Sequence, residues 1–182
     1  MPEARKLDRG GALACAATRD PAVRVLHLDG SAGLPDADGP EMGSTADFLR
    51  RLESVALPTV ATVGGACDAS ALALLTAATL GFVTGDITVR VEARAVLGLG
   101  LTSSLPGAVG AAPTRSLLLG TGVVEAAELV RCGLAHPAED AAAAIERLAD
   151  PSAALLVRSL RVAARSTQAQ AREYDAELRH IG

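Results

Sequence analysis

The stretch LPTVATVGGACDASALALLTAATLGFVTG, residues 57 to 85, decides the fold of this chain. Its order is a short apolar β-rich run, a turn of small residues, a helix of small apolar residues and a second β-rich run. Pro58 opens the first strand over TVATV. The helix is expected from about Ser70 to Thr79, and FVT and ITVRV are expected as short strands around Gly85 and Asp86. A strand that enters a helix through so tight a turn presents the helix's first N–H groups at its mouth. Those amides have no intrahelical partner and sit at the positive end of the helix dipole, so they favour an oxyanion or a phosphate.

Upstream, residues 4–18 (ARKLDRGGALACAAT) read as a helix weakened by the Gly10-Gly11 pair. Asp20-Pro21 ends it, and VRVLHL from Val23 to Leu28 reads as a buried strand. A loop rich in Gly, Pro and Asp begins at Ser31. Residues 45–55 form an amphipathic helix, with Phe48, Leu49, Leu52 and Val55 sharing a face. Downstream, LGLGLTSSLPGAVG (97–110) reads as a second flexible loop region. Helices are expected over 113–119, 124–131, 141–149 and from Ser152 onward, with the polar segment 168–180 packing on another subunit or fraying. Strands alternating with helices predict one α/β domain over 1–182 with a largely parallel sheet. Its core spans 1–137 and its C-terminal helices 138–182.

At 182 residues and 49% hydrophobic, the chain can bury a full core. There is no Trp, one Tyr (Tyr174) and two Phe (Phe48 and Phe82), so Ala, Val and Leu fill the interior and no platform exists for stacking bases. The net charge of −4, without a basic stripe, argues against a nucleic-acid partner. Cys15, Cys67 and Cys132 are odd in number and share no CxxC spacing, so no disulfide framework or metal site is expected. No signal-like or membrane-length apolar run is present, and the expected location is the cytoplasm.

Most of the chain, from about Leu7 to Arg165, resembles the crotonase family (enoyl-CoA hydratase/isomerase). The resemblance rests on Asp20, Pro21, Val23 and Arg24 leading into a strand ending at Gly30, then Leu57-Pro58, Val63 and Gly65. It continues through LPGAVG (105–110) and the long ungapped match SLLLGTGVVEAAELVRCGLAH (116–136). It implies the fold shared by crotonases and Clp-type peptidases, with a C-terminal helical region, and two backbone N–H groups that hold a thioester carbonyl. The first donor would lie in the Asp36-Ala37-Asp38-Gly39 loop, at Ala37 to Gly39. The second would be the N–H of Ser70, since Ala69-Ser70-Ala71 replaces the family's triple glycine. Gly65, Ala66, Ala73 and Leu101 would line the substrate, an acyl thioester on CoA or a carrier protein. No separate cofactor or metal is implied, and family members form trimers or hexamers.

Hydration needs an oxyanion hole and positioned acid–base groups. The family's first glutamate falls here on Ala73. The second falls within 93–95, beside Glu92, which could serve only with a shifted register. Asp68, two residues before the proposed donor, is the other candidate carboxylate; an Asp before a helix is also a common N-cap. Cys67 would be a nucleophile only with a stabilised thiolate. DASALALLTAATLG also resembles the nucleophile helix of Clp-type serine peptidases, with Ser70 as nucleophile, but residues 86–100 hold no His to serve as base. The expectation is therefore an acyl-thioester-binding protein with Asp68 or Glu92 moving protons. The alternatives are a non-catalytic accessory subunit of an acyl-transfer or polyketide-type enzyme, or a peptidase relative.

Overall fold

A computed structural model describes residues 3–7, 23–30, 42–164 and 166–178. Five strands make a parallel sheet: β1 (Glu3–Leu7), β2 (Val23–Asp29), β3 (Thr59–Val63), β5 (Leu80–Val83) and β8 (His136–Pro137), in that spatial order. A smaller sheet joins β4 (Ala66–Cys67) to β6 (Thr88–Arg90) in parallel and β6 to β7 (Val123–Glu125) antiparallel. The helices are α1 (Met42–Ser54), α2 (Ala69–Ala77), α3 (Ala93–Gly98), α4 (Leu101–Val109), α5 (Ala111–Leu119), α6 (Ala126–Arg131), α7 (Ala141–Leu148), α8 (Pro151–Ala163) and α9 (Gln168–Leu178).

Side chains alternate across a strand, and here the alternation sorts two cores. Leu26, Leu28, Ala61, Val63 and Val83 enter one core with α1 and α2. Val25, Val60 and Phe82 face the other, under Ala141 and Ala144 of α7. The main sheet is therefore covered on both faces at β2, β3 and β5. Helix α2 carries eight buried residues of nine and no polar face. A helix apolar all round belongs inside, and its alanines permit close approach to β3, β5 and β6. Two threonines tie the far end of this unit. The Thr59 N–H donates to Thr79 Oγ1 (3.1 Å), and the Thr79 N–H reaches Thr59 Oγ1 (2.9 Å).

Several expectations are corrected. Residues 3–7 form a strand rather than a helix, because parallel pairing along β2 outweighs the helix propensity of Ala, Arg, Lys and Leu; residues 8–22 lie outside the described residues. The 97–110 segment is helical, not a flexible loop. Leu101 and Leu105, four apart on one helix face, are both fully buried and pin α4 to the core. Gly100 separates α3 from α4 in the left-handed region (φ 68°). The expected 124–131 helix begins as strand β7 before turning into α6, and the last helical stretch divides into α8 and α9. The strands at 23–29 and 59–63 and the helix start at Ala69 agree with the sequence reading.

Candidate functional site

The turn between β3 and α2 is held from behind. Gly64 has no room for a side chain, since a Cβ there would lie 2.2 Å from Thr84 Oγ1. Gly65 adopts φ +70°, a conformation open chiefly to glycine. Its carbonyl accepts from the Thr88 N–H at 2.9 Å. Asp86 accepts from Thr84 Oγ1, and that hydroxyl holds its carboxyl below the usual carboxylate range. A two-residue strand, β4, then carries the chain to Asp68.

Asp68 is the N-cap of α2, with extended backbone (φ −102°, ψ −171°). Its Oδ1 accepts from the Ser70 N–H at 2.8 Å and also from the Ser70 hydroxyl. Its carbonyl accepts from the Ala71 N–H at 3.1 Å. The half-buried Cys67 thiol donates to the Gly64 carbonyl (3.4 Å). Burial, and then the charges of Asp68 and Asp86, push that thiol up, which keeps it protonated and disfavours a nucleophilic role.

The structure thus gathers Gly65, Ala66, Asp68 and Ser70 at one turn. Ala73 lies one helical turn beyond Ser70 and is 5% exposed. Leu101, at the start of α4, is fully buried in the same core. Glu92 stands apart as the exposed N-cap of α3, with no capping bond and an Arg90 contact at 3.5 Å. Ala37 and Gly39 lie outside the described residues. His27 has its Nε2 2.9 Å from Thr62 Oγ1, and the His136 ring lies 5.7 Å from Phe82. Ser70 Oγ, bonded to Asp68, has neither as its base. Asp86 was missed by the sequence reading; its only local signal is the Gly-Asp pair between two short strands.

Two charges decide what this turn can hold. A full negative charge on a ligand oxygen at the Ser70 N–H would sit close to the Asp68 carboxylate. At about 4 Å such a pair repels by about 4 kcal/mol at near-surface screening, while the cap itself contributes about 1 kcal/mol. An anionic ligand and an ionised, capping Asp68 therefore exclude each other. Among the described residues no group of three His, Cys, Asp or Glu side chains is placed to hold a metal ion. A shallow cavity of about 300 Å³ between α5 and α6 is lined by Pro113, Ser116, Leu117 and Arg131 among others, and none of its walls comes from α2 or its turn.

Neither a protein-family model nor a curated protein sequence matches the chain. Solved structures do. A Streptomyces coelicolor A3(2) protein described as an enoyl-CoA hydratase superposes with a TM-score of 0.76 at 23% identity, over 94% of this chain and 74% of that one. A Cupriavidus metallidurans CH34 enoyl-CoA hydratase/isomerase gives 0.70 at 22%, over 97% and 79%. A Bacillus anthracis enoyl-CoA hydratase gives 0.73 at 13%, over 93% and 76%. No helix among the described residues is long and apolar enough to cross a membrane. The chain has the crotonase fold, and its structural neighbours are enoyl-CoA hydratase/isomerase proteins.

Proposed function

We propose that this protein binds an acyl thioester, carried on CoA or on a carrier protein, at the N-terminal turn of α2. The observation that carries the reading is the braced turn that brings the Ser70 amide to the mouth of a buried helix, in a fold shared with enoyl-CoA hydratases. In this reading the Ser70 N–H and a donor between Ala37 and Gly39 receive the thioester oxygen. Gly65 and Ala66 border the ligand, and Ala73 and Leu101 form the apolar floor beneath it. An enolate on that oxygen would serve hydration, dehydration, isomerisation or decarboxylation, with Asp68 or Glu92 moving the proton. An enolate also requires Asp68 to become neutral or to leave its cap.

A second reading has its own support: Ala73 replaces the family's first glutamate, and Asp68 bonds the very amide a substrate would use. Both suit a non-catalytic subunit that holds a thioester for a partner acyl-transfer or polyketide-type enzyme. With either reading go a cytoplasmic location, a place in secondary metabolism and assembly as a trimer or hexamer. The exposed Leu97, Leu119, Leu156 and Leu160 support such assembly. The test is calorimetry with butyryl-CoA and with free CoA. The thioester reading expects butyryl-CoA to bind more tightly, and equal affinity for the two would remove the carbonyl from the account. Turnover of enoyl, acyl and malonyl-type thioesters then separates an enzyme from an accessory subunit.

A further inference from the structure

We draw no further inference here: the strongest candidate, the shallow apolar cavity between α5 and α6 walled by Pro113, Leu117 and Cys132, carries none, because nothing in the structure shows what covers it.

Discussion

Asp68 and Glu92 hold the same station on two different helices. Each is an N-cap with extended backbone, Asp68 at φ −102° before α2 and Glu92 at φ −109° before α3. Asp68 reaches back to the second amide of its helix, and Glu92 makes no capping bond. One added methylene carries a carboxylate past the geometry that a cap requires, which is why Asp rather than Glu leads the N-cap preferences. Burial then separates them further. Helix α2 is enclosed and its cap half-buried, whereas α3 buries only Ala95 and Val96 and leaves Glu92 in solvent beside Arg90. A carboxylate before a helix gains functional weight from what it touches, and only one of these two touches an amide on a braced frame.

The largest break in that contrast would be catalysis from the exposed end. With Ala73 in place of a carboxylate, hydration of crotonyl-CoA should run about 10²–10⁴-fold slower than in a hydratase with both groups. Ordinary turnover that Glu92→Gln abolishes would mean that the solvent-side carboxylate does the work. The packing contrast is next in size. Leu72→Ala, at a fully buried site on α2, should cost about 2–5 kcal/mol in denaturant unfolding. Leu97→Ala, on the exposed side of α3, should stay within about 0.5 kcal/mol. Similar costs at the two sites would show that α2 is not the enclosed element described.

The caps themselves differ by less. Asp68→Ala should lose about 1 kcal/mol, and Glu92→Ala, with only a solvent-exposed partner, within about 0.5 kcal/mol. Equal losses would erase the distinction. The smallest effect concerns the brace. Asp86 has a carboxyl held below its ordinary value by Thr84 in the folded protein, so its contribution is present above the unfolded-state value and is lost as pH falls through the lowered one. Thermal melts from neutral pH into the acid range should show a slightly shallower fall for Asp86→Asn than for wild type. A steeper fall would reverse the assignment.

The unit from β3 to β5 was legible because local and tertiary preferences agree there: β-branched strand residues, small residues at the turn, Asp at the cap and an apolar helix. Residues 3–7 were misread because ARKL prefers a helix locally, and only the edge offered by β2 makes it a strand. Segment 97–110 misled in the opposite direction, since its glycines and proline signal a loop while Leu101 and Leu105 anchor a helix. Two- and three-residue strands such as β7 and β8 carry too few side chains for a period to show. At the site, the Asp68 cap is a local fact and could be read locally. That its oxygen takes both Ser70 donors depends on a rotamer. The Thr84 side chain that backs Gly64 lies some twenty residues further along the chain, and no local pattern announces it.

The order of strands in the main sheet, β1-β2-β3-β5-β8, is also their order along the chain. Each strand joins the edge left open by the one before it, and no completed pair must part to admit a later arrival. As the polypeptide leaves a ribosome, N-terminus first, the sheet can widen in one direction like a row of planks laid side by side. Its last plank, the two residues of β8, is laid only after the whole braced turn has been synthesised.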